Sequence, residues 1–426
     1  MNVLKIFISI LGGIGTFWTI LKLYRYLYYV GLFYKKKYKP TENKHKYGIC
    51  IAAHDEEKVI RNLLDSIANQ DFEKEKMVIF VVADNCKDKT ADIVRDFATT
   101  SQIKTFVYEH NEPKEKTKGF ALRFLFEKIK ENHSEENFEG YFIFDADNVL
   151  APDYVSRMNE AFDAGNDAIV SYRHSKNMHQ NWIAFSYAIH WLRTCLTEHR
   201  GKNILNLSCR VQGTGFLFNK KYVADGWNYV DLTEDRMFCT DVVVKGGKVA
   251  YCEDAKFYDE QPYKIKIALR QRLRWAKGNL QSTVKFCPKL LKNVFKFNKN
   301  SIRSYDIFFL NFPTAIESIC RRIIKWTLSI ILGILTANAW GTVAGIFVGL
   351  LTGYLEDWLE KMIVAALVYR FYHKYMPKIK LFKLWFYIFM FPVFDIIGRW
   401  SMYIAVFKKV EWKTIPHDFT VDVNKL

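Results

Sequence analysis

Two aspartates with one small residue between them close an apolar run, FIFDADN at residues 142–148, and their placement is the first chemical signal in the chain. A strand buried on both faces reads as a continuous apolar run, and acids at its carboxyl end stand where open α/β sheets bind ligands. Asp145 and Asp147 there are hard oxygen donors suited to Mg2+ or Mn2+. A structural reading competes: Asp caps helices, and Pro152 just downstream is at home in a first helical turn. Two further segments carry residue types that do chemistry. VDLTEDRMF (230–238) sets Glu234 and Asp235 at the start of a helical pattern, where acids also complement the helix dipole. IALRQRLRWAKGN (267–279) interleaves cations with Trp275, a pattern that an interfacial amphipathic helix shares. In VQGTGFLFNK (211–220), Gly213 and Gly215 suit a close backbone approach to a ligand, or an ordinary turn into the strand FLFN.

The elements that must position these residues follow from periodicity. From about residue 45 to 255, YGICIAA, MVIFVVA, IKTFVYE and YFIFD read as strands. They alternate with amphipathic helical patterns in EEKVIRNLLDSIANQ, DKTADIVRDFATT and KGFALRFLFEKIKEN. That alternation predicts βαβ units, a mostly parallel sheet and right-handed crossovers. Such a sheet gathers its strand ends on one edge, bringing Glu56, Asp84, Asp145 and Asp147 toward one place. IAAHDEE follows the first strand without a glycine-rich phosphate loop, so a nucleotide would not be held in the Rossmann or P-loop manner. Acidic strand ends repel phosphate, and a diphosphate ligand here therefore requires a divalent cation between them.

Outside that region the chain is apolar. Half of its 426 residues are hydrophobic and 16% are aromatic. IFISILGGIGTFWTILKLYRYLYYVGLF precedes KKKYKP, which predicts an uncleaved membrane anchor over residues 1–36 with its basic flank in the cytoplasm, in preference to a signal peptide. Apolar segments return over 301–410, broken by Glu356, Asp357, Glu360, Asp395 and Arg399, charges that must face other helices or water. Pro392 is the expected point of a hairpin, and YDIFFLNFPTAIESICRR fits an interfacial helix or a span. The net charge of +17 suits a face turned to anionic lipid. Nucleic acid is disfavoured, because no zinc-finger spacing, RNP-like motif or basic helix accompanies the charge. Eight scattered cysteines without a CxxC pair and ten histidines without HExxH spacing argue for reduced thiols and against a His/Cys metal site.

In order and rough spacing, DAD (145–147), TED (233–235) and QRLRW (271–275), flanked by membrane segments, resemble the DxD, acidic catalytic and QxxRW motifs of family 2 glycosyltransferases. The similarity is to the membrane-embedded processive branch that includes cellulose, chitin and hyaluronan synthases, and it covers nearly the whole chain. The resemblance implies a GT-A fold over residues 45–262, an interfacial region over 263–300 carrying QxxRW, transmembrane or interfacial helices over 301–410 and a cytoplasmic tail over 411–426. It implies a UDP-sugar donor, a glycan acceptor, membrane lipid as surroundings, and Mg2+ or Mn2+ held by Asp147 and Asp145. Glu56, Asp84 and Lys118 match donor contacts, Gln271 and Arg274 diphosphate contacts, Asp235 beside Glu234 the general base, and Trp275 the acceptor platform. Gly213, Thr214 and Gly215 are acceptor-side candidates. Ala52 stands where the family often has Pro, and Asp55 where it often has Asn, which adds a negative charge beside the nucleotide. The implied activity is inverting transfer of a hexose or N-acetylhexosamine to a growing cell-surface polysaccharide by a multi-pass protein of the cell membrane. Single-sugar transfer to a lipid-linked acceptor, and a silent glycan assembly or export subunit, are the alternatives.

Overall fold

A computed structural model of the chain describes residues 2–415 and 417–420. Eight strands form one sheet: β1 (Tyr47–Ala53), β2 (Met77–Asp84), β3 (Lys104–His110), β4 (Gly140–Asp145), β5 (Val149–Leu150), β6 (Ala168–Ser175), β7 (Phe216–Asn219) and β8 (Val249–Asp259). Their order is β3-β2-β1-β4-β7-β6-β8-β5. The first four positions are parallel, as the alternation requires. The short β7 then enters antiparallel to both β4 and β6, and β6 and β8 pair in parallel beyond it.

The sheet is two-sided. β2 is buried along its whole length and sends Val78, Phe80 and Val82 into one core and Ile79 and Val81 into the other. Period-two alternation across a covered sheet produces this division. On the Ile79 face lie α2 (Ile60–Ala68), α3 (Thr90–Thr100) and α5 (Tyr154–Asp163). The Phe80 face carries α4 (Lys118–Asn132), α6 (Trp182–Arg193) and α8 (Glu234–Val244). A π-helical turn, Thr194–His199, joins α6 to the short α7 (Arg200–Ile204). α1 (Asn2–Ile20) runs into a 3-10 segment, Leu23–Leu32, that docks on α7. The approach is close: a methyl group on Gly201 would clash with the Tyr28 carbonyl oxygen.

The C-terminal region is helical. α9 (Ile265–Val294), which bears QRLRW, packs along α8, α10 (Lys299–Asn311) and α13 (Leu381–Phe407). α11 (Thr314–Leu335) and α12 (Ala339–Tyr372) complete it. The undecided stretch around YDIFFLNFPTAIESICRR divides at Pro313 into α10, packed on α9 and α8, and the start of α11. Pro392 does not form the expected hairpin; it lies inside the single 27-residue α13. Three segments are long and apolar enough to cross a membrane: Asn2–Leu32, Ala339–Tyr375 and Leu381–Phe407. Several charges within them are paired, which answers the cost of placing them in lipid. Asp357 pairs with Lys361 and, at 2.5 Å, with Arg399, while Asp395 lies 3.7 Å from Lys361 and 3.9 Å from Arg193 of α6. Of the expected tail over 411–426, residues 416 and 421–426 lie outside the described residues.

Candidate active site

The parallel pairing of β1, β2 and β4 aligns Ala52 with Asp145 and Ala53 with Ala83, so the acids at their carboxyl ends meet at one edge. They line a cavity of about 390 Å3. One wall draws on Glu56, Asp84, Lys118, Asp145 and Asp147, and a second on Gly213, Glu234, Asp235, Gln271, Arg274 and Trp275. Thr214 and Gly215 do not line it. The Thr214 hydroxyl instead accepts a hydrogen bond from the Asp145 amide at 2.8 Å and donates to Asn148, fixing the DAD turn from behind. Gly215, at φ 64°, packs under Phe257, where any Cβ would clash.

Lys118, at the start of α4, bridges the two walls. Its ammonium pairs with Asp145, donates to the Gly213 carbonyl at 2.9 Å and stands 4.0 Å from Glu234. Burial opposes its charge, but Asp145, Glu234 and Asp235 outweigh that and hold its pKa above the ordinary value. Glu234, only 7% exposed, is pushed up to about 7 by burial and by the charge of Asp235. Asp235 is the more exposed of the pair. Asp84 uses one oxygen to accept from His110 and Asn85, both at 2.8 Å, and burial raises its pKa.

The oxygen donors fit a hard divalent cation. Glu56 keeps one buried carboxylate oxygen without a hydrogen-bond partner, at the cavity that Asp145 and Asp147 share. Asp147 accepts from the Glu260 amide at 2.8 Å. Burial opposes its ionisation, but His417, Lys176 and that amide hold its pKa below the usual carboxylate value. Asp55, Cys86 and Asp88 also approach within 4.8 Å of one another. Asp55 and Asp88 accept loop amides, and burial pushes the Cys86 thiol up to about 11, so this group reads as a staple between two loops.

The QxxRW segment faces the same space. Arg274 donates to the Leu232 carbonyl at 3.1 Å, and the side-chain oxygen of Gln271 is buried without a partner. Trp275 is braced nearly edge-on by Tyr187 and Trp191, with ring centroids 6.0 and 5.5 Å away. The sequence reading missed the tail: Trp412, Lys413, Thr414, Ile415 and His417 line the cavity. The His417 ring lies 2.8 Å from Glu56, and the amides of Asp418 and Phe419 donate to Glu260. Burial works against the charge of His417, but Asp147, Glu56 and Glu260 offset it and raise its pKa to about 10. No local signal marks a segment some 360 residues away in sequence as part of a β1 site.

A mixed α/β sheet with paired acids at its carboxyl edge, facing a basic, Trp-bearing helix, defines the GT-A class of nucleotide-sugar transferase folds. The description "Glycosyltransferase like family 2" matches residues 45–278, and the chain belongs to that family. It is similar to a probable glycosyltransferase, YdaM, of Bacillus subtilis, 26% identical over 63% of this chain and 62% of that protein. It is also similar to an N-acetylglucosaminyltransferase of Bradyrhizobium diazoefficiens, 24% identical over 52% of this chain and 46% of that protein. The chain thus matches less than two thirds of the length of these relatives. Among solved structures, a mannosyltransferase of Pyrobaculum calidifontis in complex with GDP-Man and Mn2+ shares the fold at TM-score 0.57 and 15% identity, covering 92% of this chain and 99% of that one.

Proposed function

We propose that this protein is an inverting membrane glycosyltransferase that moves a hexose or N-acetylhexosamine from a UDP-sugar to a hydroxyl of a growing cell-surface glycan, with its catalytic domain in the cytoplasm. One observation carries the reading: DAD, Glu234-Asp235 and the QxxRW side chains, from distant segments, line a single cavity. Asp145 and Asp147 would hold Mg2+ or Mn2+, which when bound neutralises charge on the leaving diphosphate. The relative bound to GDP-Man and Mn2+ supports that cofactor class. Arg274 and Lys118 add fixed positive charge where the diphosphate charge develops. Asp235 takes the proton of the acceptor hydroxyl, and one direct displacement inverts the anomeric centre. Trp275 offers an apolar ring face to the acceptor sugar.

The test is nucleotide release by purified protein across a panel of UDP-sugars and GDP-mannose, with Mg2+ or Mn2+ and with Asp235→Asn as control, followed by sizing of the product. Release with a long polymer supports extension of a polysaccharide. A product one sugar larger than a lipid acceptor would replace that reading with single transfer. Bound UDP without release from any donor would make the chain a silent assembly subunit.

A further inference from the structure

The cavity continues past Asp235 into a part walled by α8 and α10, where its chemistry changes from acidic to cationic. Arg236 and Thr240 of α8, Leu310 and Asn311 of α10, and Arg210 meet there. Two buried arginines of this domain have a carboxylate of their own, Arg173 with Asp259 and Arg200 with Glu253, whereas Arg236 and Arg210 are half-buried at the cavity. Arg236 has no carboxylate within ion-pair distance among the described residues; it donates to the Asn311 side-chain oxygen at 3.2 Å, and Asn311 donates in turn to Thr240 at 2.9 Å. Arg210 donates to the Thr194 hydroxyl at 3.0 Å, lies 3.5 Å from Glu198 and keeps its Nε buried without a partner. Glu198 is shared with Lys202 at 3.1 Å. Burial and the neighbouring Arg210 both work against the charge of Arg236, and an anion between the two guanidiniums would relieve that cost.

Leu310 also borders a second cavity, of about 210 Å3, lined by Arg25, Tyr28, Glu198 and Lys202. Arg25 belongs to the membrane-capable segment Asn2–Leu32, and its Nε too is buried without a partner. Across the two chambers the cations Arg25, Lys202, Arg210 and Arg236 meet the carboxylates of Glu198, Asp306 and, where the chamber opens to the acidic part, Asp235. The path from the proposed base to the first membrane helix therefore carries excess positive charge beside the apolar side chains of Ile307 and Leu310.

We propose that Arg236 and Arg210 form an acceptor subsite for a phosphate-type anion, so that the glycan acceptor is presented on a lipid phosphate. The inference rests on the glycosyltransferase reading above. Guanidinium pairs suit phosphate because their planar N–H groups match its oxygens.

The full chain is reconstituted in phosphatidylcholine vesicles doped with either a polyprenyl phosphate or the matching polyprenol. Lipid binding and UDP binding are then measured. The wild-type protein should prefer the phosphate lipid by roughly tenfold or more, the scale of a charge-assisted hydrogen bond. Arg236→Gln and Arg210→Gln should erase that preference while leaving UDP binding unchanged. Arg236→Lys, which keeps the charge, should retain part of the preference. Displacement of the lipid by inorganic phosphate or diphosphate at equal affinity would support the anion subsite and assign its occupant to free phosphate. Equal binding of the two lipids, or an undiminished preference in Gln variants that still bind UDP, would overturn the proposal. Failure of the wild-type protein to bind UDP would instead strike the donor reading, since the lipid preference is measured without a donor.

Discussion

Replacing Glu234 with Gln tests the division of labour between the two neighbouring acids. Glu234 is buried beside Asp235, and its carboxyl rises from an ordinary 4.5 to about 7. At about 1.4 kcal/mol per pH unit, that displacement corresponds to about 3 kcal/mol. The sign follows from proton binding. The folded protein holds this proton more tightly than the unfolded chain, so the associated stability is complete below pH 4.5 and is lost as pH rises through 7. Gln mimics the protonated acid and cannot ionise. The ligand-free Glu234→Gln variant should therefore match the wild-type protein near pH 4.5 and exceed it in stability by about 3 kcal/mol at pH 8. Chemical denaturation in detergent, followed by fluorescence of the eleven tryptophans, measures both curves. Parallel curves for the two proteins from pH 4.5 to 8 would refute the claim that burial beside Asp235 raises the Glu234 carboxyl.

Asp235→Asn should lower kcat by about 10²- to 10⁴-fold while UDP binding, read by calorimetry, stays at the wild-type value. Thr214→Val deletes the acceptor of the Asp145 amide hydrogen bond and should cost about 1 kcal/mol of positioning, roughly fivefold in kcat/KM, with little change in acceptor KM. Chelation by EDTA should bring donor turnover to background, and added Mn2+ or Mg2+ should restore it. Turnover undiminished in EDTA would return Asp145 and Asp147 to the status of turn-capping acids.

Local pattern alone carried β1 to β4, the helices between them and the acidic strand ends. Burial on two faces forces continuous apolar runs such as MVIFVVA, and parallel pairing then sends the acids after β1, β2 and β4 to one edge whatever the details of packing. TED and QRLRW were legible as chemical types for the same reason, since each is a short run on one helix. The tertiary structure decided what no periodicity encodes. β7 enters antiparallel between β4 and β6, and Pro392 sits within a helix whose neighbours α9 and α12 hold it in place. Thr214 turns away from the cavity to hold the DAD backbone, and His417 reaches Glu56 from the far end of the chain. The cationic chamber is of the same kind. Arg236 and Asn311 lie 75 positions apart in sequence, and the packing of α8 against α10 makes them neighbours. Such contacts arise from long-range closure of the chain, where a side chain's partner depends on shape and burial across the whole fold and not on the residues beside it.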